Sequence, residues 1–147
     1  MEVAFHFNVS EPTDYCCRLL RKAHGRGARV TVTGPRRLLV DIDQQLWALS
    51  ATDFVPHAWA DAAPEVRMCS PIVLCETLTP PEPGQNPPLL LNLLAHIPAD
   101  YTQYERVIEV VGLGEDERAQ ARQRWRAYEQ AQHHLTRHDA AATASAP

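Results

Sequence analysis

Lysine is almost missing from this 147-residue chain, with Lys22 the only one. Fourteen Lys plus Arg face eighteen Asp plus Glu, which excludes the broad positive field that binds nucleic acid through phosphates alone. Any cationic site must be local. The longest apolar stretch, residues 89–97, falls far short of the ~20 residues a bilayer-spanning helix needs. Glu2 and the lack of a basic run behind Met1 argue against a secretory leader, so a soluble, cytoplasmic protein is expected. Cys16, Cys17, Cys69 and Cys75 form no Cys-x-x-Cys pair, and adjacent cysteines seldom bridge. They read as reduced packing residues, with no metal site and no disulfide framework. No Gly-x-Ser-x-Gly, His-Glu-x-x-His, Walker lysine or EF-hand loop occurs, so neither a catalytic residue nor a cofactor is predicted. The length suits one domain, and there is no internal repeat.

What is present alternates strand and helix signals. Residues 3–9 are an apolar run that predicts a strand, and Ser10-Glu11-Pro12 opens a helix with proline in its first turn. Tyr15, Cys16, Leu19, Leu20 and Ala23 recur at helical spacing, and His24-Gly25-Arg26-Gly27 supplies the stop. Residues 28–33, rich in β-branched side chains, form the next strand. A right-handed crossover to a parallel neighbour is the expected geometry of this β-α-β unit, with helices covering the sheet. A second helix over 36–49 gathers Leu38, Leu39, Ile42, Leu46 and Leu49 into an arc of about 100° and leaves Trp47 on the other side. Residues 52–59 hold Phe54, Val55, Pro56, His57 and Trp59 without periodicity and predict a covering loop. Strands follow at 71–76, 89–93 and 106–111, with a proline-rich surface loop over 79–88. A last helix runs from Glu115 to about Leu135, and the alanine-rich 138–147 is a frayed tail on a domain of residues 1–137.

Most candidate constellations have ordinary explanations. Gly25-Arg26-Gly27 follows a helix and precedes a strand, the reverse of a phosphate-binding loop. Asp41, Asp43 and Glu76 have no fixed spacing that supports acid-base work, and His133, His134 and His138 read as solvated. The informative stretch is the last helix. Arg118, Arg122 and Arg126 stand at i, i+4 and i+8, with Trp125 between them in angle. Ala121, Trp125, Tyr128 and Leu135 define its core side, while Arg124 lies on a flank from which it would have to snorkel. Like charges at this spacing repel, and only Glu115 and Glu117 stand near to compensate, so an external anion is implied. Guanidinium forks favour carboxylate or phosphate and an indole favours a ring. An acidic peptide with a hydrophobic end satisfies both, single-stranded nucleic acid would too, and a merely solvated face is the plain alternative.

Arg122-Gln-Arg-Trp-Arg-Ala-Tyr128, taken with Leu46-Trp47 and Asp53-Phe54-Val55-Pro56-His57, resembles the chi subunit of bacterial DNA polymerase III holoenzyme. The resemblance implies a single-domain, three-layer α/β/α fold with a mostly parallel sheet of Rossmann- or P-loop-like topology. It implies a non-catalytic adaptor, a monomer or a heterodimer, that joins the psi subunit of the clamp loader. The adaptor's other ligand is the C-terminal tail of single-stranded-DNA-binding protein, so nucleic acid is met only indirectly. The tail pocket then falls on Arg118, Arg122, Trp125 and Arg126, where the family usually has tyrosine for Trp125 and often lysine for Arg126. The psi surface falls on Trp47, Phe54, Val55, Pro56 and His57, and an accessory helicase would share it. The competing expectation is a small flavodoxin-like nucleotide-binding protein or enzyme, with its ligand at the carboxyl ends of the strands.

Overall fold

A computed structural model of the chain describes residues 1–48, 55–63, 70–78 and 89–141. Strand β1 (Glu2–Val9) leads into helix α1 (Pro12–Gly25), whose first residue is the proline that needs no amide partner there. The helix ends as Arg26 N–H reaches back to the Lys22 and Ala23 carbonyls and Gly27 takes a left-handed φ of 74°. Next come β2 (Val30–Thr33), α2 (Arg36–Ala48), β3 (His57–Trp59), β4 (Ile72–Cys75) and β5 (Leu89–Asn92). A short 3₁₀ turn (Tyr101–Gln103), β6 (Arg106–Gly112), α3 (Glu115–Gln130) and β7 (His134–Asp139) complete the order.

Among the described residues seven strands run parallel in one sheet, in the order β3-β4-β2-β5-β6-β1-β7. A parallel sheet is covered on both faces, and successive residues serve opposite layers. Ile108 packs with α1 and α2 residues such as Leu20, Leu39, Ile42 and Leu46, whereas Val107 packs with Ala121 and Tyr128 of α3. The three-layer α/β/α domain is therefore present, with a sheet that is wholly parallel.

Three expectations need correction. First, β1 and β2 are not neighbours, because β6 and β5 lie between them. Second, residues 57–59 form a strand instead of a loop, paired with β4 at an edge of the sheet. Third, the last helix stops at Gln130 instead of near Leu135. Gln132 adopts φ 65°, its N–H bonds to the Glu129 carbonyl, and the His133 N–H bonds to the Tyr128 carbonyl at 3.2 Å. That double closure is a Schellman stop with glutamine where glycine usually stands, so the sequence carries no visible signal. The chain then pairs with β1 through β7, which takes in His138 and Asp139. The proposed loop over 79–88 and residues 142–147 of the proposed tail lie outside the described residues.

Two histidines expected in solvent have partners: His133 hydrogen-bonds the Tyr101 hydroxyl at 2.9 Å, and the His138 ring lies 4.8 Å from that of His6. Buried His6 also hydrogen-bonds the Tyr15 hydroxyl. Burial first, then the nearby His138 and Arg106, lower the His6 pKa from 6.5 to about 4. A lowered imidazole pKa supports the fold above about 6.5 and withdraws that support as pH falls through about 4. The expected result is that the His6 ring signals, followed by NMR, stay neutral until the pH approaches 4. His6→Gln should flatten the acid limb of the stability profile over the same window.

Candidate functional site

The predicted basic stripe sits on α3, and the start of that helix is fixed by its own glutamate. Glu117 Oε2 accepts the Gly112 N–H at 3.0 Å, and a Cβ on residue 112 would lie 2.1 Å from that oxygen, so any larger residue there would push the Glu117 carboxylate off this bond. The body of the helix is anchored beneath. Arg124, expected to reach outward, is buried: its Nε donates to Glu109 Oε1 at 3.0 Å and its guanidinium to the Ala95 carbonyl at 2.9 Å. Tyr128 O–H donates to Glu109 Oε2 at 2.7 Å and Asn92 Nδ2 to the same oxygen at 2.8 Å. Burial pushes the Glu109 carboxyl above the usual range, against the pull of Arg124 and of its hydrogen-bond donors. A fully satisfied polar network of this kind fixes the rotation of α3 about its axis.

With that rotation set, Arg118, Arg122 and Trp125 face a cavity of about 570 Å³ between α3 and the β7 edge of the sheet. Phe5 and Phe7 of β1 and Val111 of β6 supply its apolar surface. The Trp125 ring is half-buried, edge-on to Phe5 with centroids 5.2 Å apart. Arg118 donates to Asn8 Oδ1 at 3.2 Å, and Asn8, at φ 60° where the β1–β6 register breaks, donates in turn to Asp139 at 3.1 Å. Among the described residues no carboxylate lines the cavity.

Of the four tail-pocket residues expected from sequence, Arg118, Arg122 and Trp125 are brought together. Arg126 is exposed but does not line the cavity. The third guanidinium there belongs to Arg137 on β7, 5.9 Å from the centre of the Trp125 ring. Sequence reasoning missed it because the strand that carries it was read as helix end and tail.

The second expected surface lies on the opposite layer. Trp47 is 59% exposed, the larger of the two exposed bulky apolar side chains among the described residues. Its ring packs against His57 at 5.1 Å. The His57 ring is itself held between the Val55 carbonyl and Asp43, each at 2.8 Å. Val55 is buried in the core, Pro56 is half-buried, and Phe54 lies outside the described residues. Trp47 is thus the outward group, and Asp43, Val55 and His57 are its support. Glu76 pairs with Arg36 at 3.1 Å, both exposed, and Asp41 is exposed.

Cys16, Cys17 and Cys75 are buried free thiols, with burial raising Cys75 to about 11 and Cys17 to about 12. Cys69 lies outside the described residues. Among the described residues no group of three or more His, Cys, Asp or Glu is placed to hold a metal ion, and no helix is long and apolar enough to cross a membrane.

Fold and site together define a three-layer α/β/α protein whose distinctive surface is a cavity with an aromatic wall and a rim of arginines. The chain belongs to the family of the DNA polymerase III chi subunit, HolC, whose family model matches residues 1–136. A comparison with curated proteins finds no match. Members of the chi family are non-catalytic accessory subunits, which assigns this chain to DNA replication in association with the polymerase III clamp-loader complex.

Proposed function

We propose that the chain is a bridge, holding the C-terminal tail of single-stranded-DNA-binding protein in the α3 cavity and the psi subunit on the surface around Trp47. The carrying observation is the cavity itself, where Trp125 forms one wall, Arg118, Arg122 and Arg137 surround it, and, among the described residues, no acidic side chain lines it. An acidic segment supplies the missing anions, and a terminal aromatic residue supplies a ring for the apolar surface. Single-stranded DNA is then met through its binding protein. An accessory helicase would compete with psi for the Trp47 surface, one partner at a time.

Calorimetric titration with an acidic peptide ending in Pro-Phe tests the tail site. Charge-assisted contacts offset by the ordering of a flexible tail give modest affinity that falls as salt rises. Equal binding of a peptide ending in serine, or indifference to salt, would sink the assignment. For the other surface, Trp47→Ala should abolish co-purification with psi, leave peptide affinity unchanged, and leave the melting temperature unchanged because the side chain is exposed. Retention of psi by that variant would remove Trp47 from the interface.

A further inference from the structure

Half of the chain's basic residues fall between Tyr15 and Val40, where seven Lys or Arg stand without a single Asp or Glu. In a protein of net charge -4 this is a marked local excess of positive charge. Part of it surrounds a second cavity, of about 340 Å³, roofed by α1 and floored by the face of the sheet opposite α3. Strand register orders its lining. Val30, Leu89 and Arg106 are level across β2, β5 and β6, Leu91 and Ile108 lie further along, and His6 of β1 is level with Val110 beyond them. At about 3.3 Å per residue the slot runs about 13 Å along the strands.

Its two ends differ in charge. At the amino ends of the strands, where α1 finishes, Lys22, Arg26 and Arg106 line the mouth. Lys22 and Arg26 are exposed, and among the described residues their side chains make no hydrogen bond or ion pair. Arg106 has a 3.9 Å pair with half-exposed Glu2, a contact of little strength in water. Among the described residues no carboxylate lines the cavity. At the far end burial keeps His6 neutral, so the slot joins a cationic mouth to an uncharged interior.

We propose that this slot binds a small amphiphilic anion, a free alkyl carboxylate of medium length. Its headgroup sits among Lys22, Arg26 and Arg106, and its chain follows Leu19, Ala23 and Ile108. Nucleic acid would meet the same cations, but the lining residues put no aromatic ring at the mouth for a base to stack on.

The test is titration of the full chain with decanoate below its micelle-forming concentration, followed by calorimetry and by the NMR signals of the His6 ring. Saturable one-to-one binding that shifts those signals is expected, with decanol, which lacks the charge, and acetate, which lacks the chain, at least about tenfold weaker. Lys22→Ala combined with Arg26→Ala should weaken decanoate about tenfold and leave the melting temperature unchanged, since both side chains are exposed. Ala23→Leu, which fills the slot and spares the charges, should abolish binding; should it fail to fold, the charge variant and the His6 signals still decide. Absence of saturable binding, equal binding of decanol, or wild-type affinity in either folded variant would overturn the proposal. So would capture of a thymidine oligonucleotide in place of decanoate. The Pro-Phe-ended peptide, held on the other face of the sheet, should bind every variant as it binds wild type, so this slot and the tail site stand or fall separately.

Discussion

Arg122→Ala is expected to cost about ten- to a hundredfold in affinity for the acidic peptide, the range set by one charge-assisted contact of about 1.5–3 kcal/mol. Its side chain is exposed and its bond within the protein is to the carbonyl one turn back on the same helix, so its loss should not disturb the fold. Arg126→Ala is the informative comparison. It removes the same charge from the next turn, yet Arg126 does not line the cavity, so its effect should be limited to weak, salt-screened attraction. Binding by Arg122→Ala at wild-type strength, or an equal loss from both substitutions, would show that the helix face matters only through its overall charge. The psi partner should bind both variants normally.

The largest effect on stability is expected from Arg124→Ala. Glu109 is fully buried, and Arg124 is the positive charge in direct contact with it. Removing one member of a buried ion pair costs about 3–5 kcal/mol because the other charge is left without compensation. The loss should depend on pH in a defined direction. The Glu109 carboxyl already sits above its ordinary range through burial, and removing Arg124 raises it further. A raised carboxyl favours the fold below its unfolded value, and that contribution is lost as pH rises through the folded one. The variant should therefore be closest to wild type in mild acid and should fall away from it towards alkaline pH. Denaturant melts across that range measure it, and a pH-independent difference would mean that Arg124 does not govern the ionisation of Glu109. The substitution should also weaken peptide binding, since the Arg124 network orients the helix that carries Arg118 and Arg122.

What sequence could and could not convey follows from burial and periodicity. The apolar runs that became β1, β2, β4, β5 and β6 announced themselves because both faces of a parallel strand are covered. Trp47 was placed outside its helix by angle alone, and it is exposed. The failures are edge strands. The sequence His-Leu-Thr-Arg-His-Asp of β7 has neither an apolar run nor clean alternation, since an edge strand with exposed side chains needs neither. Missing β7 displaced Arg137 from the site and left Arg126 in its place by helical spacing. Arg124 failed for another reason: a lone cation on a helix flank says nothing about Glu109, Asn92 and Tyr128, which meet it only through the sheet. Strand order was equally beyond local reading, because it is decided by pairing between distant segments.

That pairing has a consequence for how the protein comes into being on the ribosome. β1 is made first, yet its two neighbours are β6 and β7, with Glu2 matched to Arg106 on one side and His134 on the other. The opening strand must wait, unpaired, through nearly the whole of synthesis, and such distant pairings form slowly. Phe5 and Asn8 lie on the first strand and Arg137 on the last, so the cavity cannot form before those two strands have paired. The cavity therefore takes shape only when β7 docks on β1, after every other element of the described domain has been made.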